Sequence, residues 1–201
     1  MTRRLRLLAL FTLIVFSPFH AMSAPSAFPA TAPGVTELKT LPAGLLVRSE
    51  AKGDYFKNSG DLFRPLFLYI QRKDIAMTTP VEAHVADTSA MYFWIATSER
   101  AKAESDLPPA ASAPASGAPP EGVVVLTRPE RLVISHGARG SYSRGHFEEA
   151  RAAALAWLAG RTDLAAEGEA YAVYWNSPFM PGFLKRYEIH LPVRKLTPAT
   201  P

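Results

Sequence analysis

Apolar positions along this chain follow two periods. Alternation, or short apolar runs bounded by turn residues, predicts strands at 44–50, 75–86 and 91–97, then at 123–127, 131–137, 170–176 and 186–193. Val35 to Leu38 adds a possible eighth. Two stretches change to helical spacing. In the first, Phe63, Leu66, Phe67 and Ile70 fall at i, i+3, i+4 and i+7, with Asp61 placed to cap and Pro65 early enough to be tolerated. The second begins near Ser143 or Gly145, stops at Gly160, and puts Ala150, Ala153, Ala154 and Trp157 on its apolar face. The Ala-rich helix can pack close to a sheet, whereas the Phe-rich helix has bulk to line a cleft.

The same order recurs along the chain. A shift of 87 residues lays Pro42 to Val47 on Pro129 to Ile134, and then Ala51 to Tyr55 on Ala138 to Tyr142 without a gap. Each half runs from a strand through a basic-Gly-x-Tyr turn into a helix. Seven or eight short strands with two helices in a duplicated order predict an α+β fold with a curved antiparallel sheet or barrel and helices outside it.

Composition limits what surrounds that domain. Arg3, Arg4 and Arg6 precede an apolar run from Leu7 to Phe16, and Ala21-Met22-Ser23 offers small residues to a signal peptidase. Ten apolar residues fall short of the ~20 that span a bilayer, so residues 1–23 are expected to be a cleaved export signal and the protein periplasmic or secreted. Removing three Arg from a net charge of +4 leaves 4 − 3 = +1, too little basic excess to argue for nucleic acid. The chain has no Cys, which excludes disulfides, thiolate metal sites and Cys nucleophiles. Residues 24–34 are predicted as a flexible Pro/Ala-rich leader, 107–122 as a disordered Pro/Ala/Ser-rich loop, 35–196 as the domain and 197–201 as a tail.

Two stretches carry a family signature. Phe63-x-x-Leu66-x-x-Tyr69-Ile70, followed by Ile75-x-Met77-Thr78-x-Pro80-Val81, resembles the helix-and-strand pattern of the SOUL haem-binding proteins. Tyr174, Asn176-Ser177-Pro178 and Glu188-Ile189 resemble that family's second-half motif. The resemblance covers about residues 35–193 and implies a distorted antiparallel eight-stranded β-barrel with two helices, built as a pseudo-two-fold internal repeat. It also implies binding of haem or another tetrapyrrole in an apolar cleft beside the first helix. Some members carry a first-strand His proposed as an iron ligand; Lys39 or Thr40 stands there in this chain, so that ligand is not carried over. Tyr187 and His190 also depart from the family pattern.

The candidate site follows from these residues. In Asn176 to Lys185 two prolines and a glycine break any ladder and put four large apolar residues on a loop. A flat ligand is expected between helix 61–72 and loop 177–186, against Phe63, Phe67, Ile70, Met77, Phe179, Met180, Phe183 and Leu184. Lys185, Arg186, Arg64 and Arg72 are available as cations for its carboxylates. The Thr-Pro motif mainly shapes its strand, with Met77 as core filler. His84, His136, His146 and His190 form no metal-ligand spacing, so iron ligation stays unassigned. The chain lacks a Gly-x-Ser-x-Gly elbow and a phosphate loop, and a non-enzymatic small-molecule binder is expected. The alternative is an effector-binding module of the bacterial regulator type. It would hold a non-porphyrin amphipathic ligand beside Glu188.

Overall fold

Alternation along the strands splits the side chains of one sheet between two buried faces. The computed structural model describes residues 26–108 and 122–196. The expected export signal, most of loop 107–122 and the tail lie outside the described residues. The elements run β1 (Thr36–Leu41), β2 (Gly44–Lys52), α1 (Tyr55–Arg72), β3 (Val81–His84), β4 (Thr88–Ile95), α2 (Arg100–Glu104), β5 (Val123–Arg128), β6 (Arg131–Arg139), α3 (Arg144–Ala159), β7 (Leu164–Ala166), β8 (Tyr171–Tyr174) and β9 (Arg186–Lys195).

The class is α+β, as expected, but nine strands form an open sheet in place of a closed eight-stranded barrel. Its order is β1-β6-β9-β8-β3-β4-β2-β5, with β7 added beside β9 and antiparallel pairing between all named strands. β1 and β5 are the edges. The order reads alike from either end, with β1, β6, β9 and β8 answering β5, β2, β4 and β3. The extra strand β7 and the extra helix α2 are too short for periodicity to register.

One face carries the helices. Leu45, Val47, Met91, Phe93, Ile95, Ile189 and Leu191 point there and pack with Leu62, Leu66 and Ile70 of α1, Ala103 of α2 and Phe147, Ala150 and Ala154 of α3. The opposite face holds Leu46, Ala90, Tyr92, Trp94, Val133, Tyr171 and Val173. Among the described residues no helix contributes to that second cluster. Residues 26–34 cover it, with Phe28 and Thr31 buried. Residues 26–34 of the predicted flexible leader are therefore part of the packed domain, and the reason is Phe28, whose ring finds an aromatic pocket that composition does not reveal.

α1 starts earlier than predicted. Asp54, not Asp61, caps it, its carboxylate accepting from the Phe56 N–H at 2.9 Å. The buried stripe is Tyr55, Leu62, Leu66, Tyr69 and Ile70, so the predicted Phe63/Phe67 face is rotated to the flank. α3 begins where expected, with Ser143 at its cap, and buries Phe147 ahead of the small residues. The predicted strand 75–86 is regular only over β3. Before it, the buried Thr78 hydroxyl donates to the Trp94 carbonyl, and the Thr79–Pro80 peptide is cis.

Trp94 lies across the start of β2. A Cβ on Gly44 would overlap its indole, with Trp94 Cε3 at 2.8 Å. Gly44→Ala is expected to lower stability by about 1–3 kcal/mol, the usual cost of overpacking. Urea titration of both proteins measures it; equal midpoints would show that the indole yields freely.

Candidate functional site

The helix-side candidates separate into two neighbourhoods. Phe63 and Phe67 stack on each other at 5.5 Å, and Phe63 meets Phe93 of β4 edge-on at 5.4 Å. Ile70 is core, and Arg64 is exposed. Phe67 and Met77 stand about one-third exposed at the rim, which corrects the expectation of Met77 as core filler.

The loop after β8 behaves differently. Phe179 is 95% exposed, Phe183 76% and Leu184 50%, while Met180 is half-buried. These side chains do not fold back into the core. Tyr142 fixes the base of the loop: its hydroxyl accepts from the Asn176 N–H at 3.0 Å and lies 3.1 Å and 3.2 Å from the carbonyls of Asn176 and Arg186. Its ring stacks on Tyr174 at 3.9 Å, and Lys185 Nζ sits 4.8 Å over its centre. Lys185 also donates to the Pro178 carbonyl at 2.7 Å, so this cation closes the loop as well as charging it. Burial pushes the Tyr142 phenol up to about 12 and raises Tyr174 and Tyr55 too, which keeps the cluster neutral.

The recess beside this loop is too tight to admit a water molecule and is lined by Ser141, Tyr142, Ser143, His146, Phe147, Ala172, Tyr174 and Tyr187. Pockets for drug-sized ligands run from roughly 300 to 1,000 Å³. Phe63, Phe67, Ile70 and Met77 are absent from its walls. This recess is therefore not the expected slot between helix and loop. Of the two cations predicted for one ligand, Arg64 stands exposed on α1, whereas Lys185 is held at the loop by Tyr142 and the Pro178 carbonyl.

Sequence reading missed a polar cluster on the helix-free face. Glu82-x-His84 on β3 and Glu188-x-His190 on β9 repeat one spacing, and a period of two puts each pair on one face. Tyr171 lies between them, its ring 4.5 Å from His84 and 5.4 Å from His190. That repeated Glu-x-His spacing was the available signal. Glu82 accepts from Trp94 Nε1 at 3.0 Å, Arg128 Nη1 at 2.5 Å and Arg131 Nη2 at 2.6 Å. Glu188 accepts from the Thr31 N–H, Trp175 Nε1, Lys39, Ser135 and His190, all within 3.1 Å. Burial would raise both carboxyls, but the adjacent histidines and the neighbouring cations win, holding Glu82 far below its ordinary value and Glu188 at about 2. Burial also lowers both histidines, which are neutral. Arg128, Arg131 and Lys39 are matched by Glu82, Glu188 and Glu37, which lies 3.7 Å from Lys39, so the charges of this cluster balance, 3 − 3 = 0. Among the described residues no group of three or more His, Asp or Glu side chains is arranged to hold a metal ion. No described helix is long and apolar enough to cross a membrane.

Comparison with known proteins places this geometry in context. The family model described as SOUL heme-binding protein matches residues 29–192. The C-terminal domain of EcmrR superposes with a TM-score of 0.59 at 12% identity, covering 81% of this chain and 98% of that one. Within the DNA complex of EcmrR the TM-score is also 0.59, at 11% identity, and the match spans 81% of this chain but only 58% of the EcmrR chain. A structure titled as a hydrolase from Listeria innocua gives a TM-score of 0.51 at 13% identity, covering 81% and 94%. At these identities the likeness is one of fold. A comparison with curated protein sequences gives no match.

Proposed function

Because the chain belongs to the SOUL heme-binding protein family, we propose that it is a non-enzymatic carrier of haem or a related tetrapyrrole, exported by its N-terminal signal, and that the ring docks on loop 177–186. The observation that carries this reading is the exposure of Phe179, Phe183 and Leu184 on a loop whose base is pinned by Tyr142. Exposed aromatics on a braced loop are the usual form of a recognition surface. A porphyrin laid on them would be covered by two phenyl rings, with Lys185 and Arg186 beside its propionates. Because the recess beneath is small, the loop closes on the ligand instead of receiving it in a ready-made slot. Phe63, Phe67 and Met77 then form a neighbouring apolar rim.

Haemin titration of the mature protein tests the reading. A Soret shift saturating at micromolar haemin is expected, and its absence below tens of micromolar would refute the function. The double variant Phe179→Ala/Phe183→Ala should bind haemin at least tenfold more weakly, about 1.4 kcal/mol. An unchanged affinity would move the ligand elsewhere on the protein.

A second reading, a module for a non-porphyrin ligand, draws support from Glu188. This carboxylate faces the helix-free cluster and not solvent.

A further inference from the structure

The helix-free face is already engaged with a ligand-like segment of its own chain. The Phe28 ring meets Trp94 edge-on at 5.5 Å and Trp175 edge-on at 5.6 Å, and tilts over His190 at 5.6 Å. Around it the backbone is read at fixed points. The Ala27 N–H donates to the Thr79 carbonyl at 2.8 Å, and the Pro29 carbonyl accepts from Lys39 Nζ at 3.0 Å. The Thr31 N–H donates to Glu188 Oε1 at 2.7 Å, and Thr31 Oγ1 lies 2.7 Å from Ser135 Oγ. Pro29 and Ala30, between the two anchors, are exposed. A buried ring, exposed spacers and alternate backbone contacts are how an extended peptide is held in a receptor groove.

Two further features fit a groove made for a passing backbone. A Cβ on Gly137 would overlap the Ala32 carbonyl oxygen and come within 2.7 Å of that of Thr31, so only glycine admits the segment there. The segment then ends at Gly34, whose φ of 81° turns the chain into β1. Beside the ring, fully buried His190 spends Nε2 on Glu188 and leaves Nδ1 without a partner among the described residues. The attachment is also weak. One buried phenyl ring and a few hydrogen bonds favour it, and the conformational entropy lost by nine ordered backbone residues opposes it. The two sides are of one size, which puts the segment among the parts of the fold that open first.

We propose that the helix-free face is a peptide-binding site, separate from the haem surface. Its ligand is an extended segment with an aromatic side chain and, three residues later, a free backbone N–H for Glu188. Residues 26–34 fill it as a tethered occupant that a partner segment of the same chemistry displaces. Tethering supplies an effective concentration in the millimolar range, so a competing peptide gains access mainly after the tether is cut or pulled away.

The test uses the mature chain with a protease site inserted between Gly34 and Val35 and cut after folding. A fluorescent peptide of residues 26–34, Ser-Ala-Phe-Pro-Ala-Thr-Ala-Pro-Gly, is then added. Exchange into the cut protein with a saturable change in tryptophan emission is expected, at least tenfold tighter than binding to the uncut chain. The peptide carrying Phe28→Ala should bind at least tenfold more weakly than the parent. Gly137→Ala in the cut protein should weaken the parent peptide by a similar factor, because its methyl takes the place of the peptide carbonyls. Haemin binding should be unaltered by the cut and by Gly137→Ala, which separates failure of this proposal from failure of the haem reading. A cut protein that stays folded yet never exchanges its segment would overturn the proposal. So would one that unfolds on cutting, since residues 26–34 would then be core and not ligand.

Discussion

Glu82→Ala is expected to destabilise the protein by about 3–5 kcal/mol, the range for removing one partner of a buried ionic cluster. Glu82 is fully buried and neutralises Arg128 and Arg131, whose side chains are themselves only 15% and 16% exposed. Without the carboxylate both guanidinium groups stay in place against aromatic rings, Arg128 4.4 Å over Tyr92 and Arg131 5.6 Å over Trp94. Those contacts do not replace a counter-charge. Trp94 Nε1 also loses its acceptor, so an indole N–H is left unpaired in the core. Glu82→Gln should fall between, because it keeps acceptor capacity and gives up the charge. Replacing Glu82, Arg128 and Arg131 together by apolar residues of similar volume should cost far less than Glu82→Ala alone. Chemical denaturation of the three variants measures the series. A loss below about 1 kcal/mol for Glu82→Ala would show that both arginines reach water, and the account of this face as a dry ionic layer would fail.

How much of this was legible beforehand depends on the range of the interaction involved. Local signals read well: Ser143 at the start of α3, and the alternation of β2, β6 and β9. The start of α1 misled because Asn58-Ser59-Gly60 are poor helix formers, and Asp61 looked like the better cap. Packing of Tyr55 and Phe56 against Tyr174 and Phe147 overrides that preference and carries the helix back to Asp54. Whether a nine-stranded sheet closes depends on curvature summed over every strand, which no window of sequence contains. Residues 26–34 look like a linker by composition, yet one aromatic residue decides their fate.

The candidate site divides in the same way. Prolines and a glycine announced that Phe179 and Phe183 leave the ladder, and they do. Which way those rings face was not written in the spacing. The distance between α1 and that loop was not written there either. The Glu-x-His pairs were visible as an alternation within each strand. That they lie on one face, with Tyr171 between them and three cations around them, needed the strand order β9-β8-β3.

Acid should produce the other large effect, and every titrating group on the helix-free face drives it in one direction. His84 and His190 are lowered by burial, so below their ordinary value of 6.5 the unfolded chain takes up protons that the folded chain refuses. Stability therefore falls as pH drops through that value. Glu188 follows at lower pH. Its contribution is full above its ordinary value of 4.5 and is lost as pH falls toward its folded value of about 2. The difference between 4.5 and about 2 corresponds to roughly 3–4 kcal/mol at ~1.4 kcal/mol per pH unit. Glu82, also lowered, adds to the same limb. Urea midpoints measured from neutral pH down to roughly pH 3 should decline from mildly acidic pH and steepen once the carboxylates enter their window. Glu188→Gln separates the two stages: it should flatten the lower limb and leave the histidine limb in place. Protonating Glu188 also weakens its hold on the Thr31 N–H, so emission from Trp94 and Trp175 around Phe28 should shift red before the far-UV signal is lost. A midpoint that does not change across this range would mean that water reaches both Glu–His pairs, removing the burial that lowers the histidines and screening the cations that lower the carboxyls.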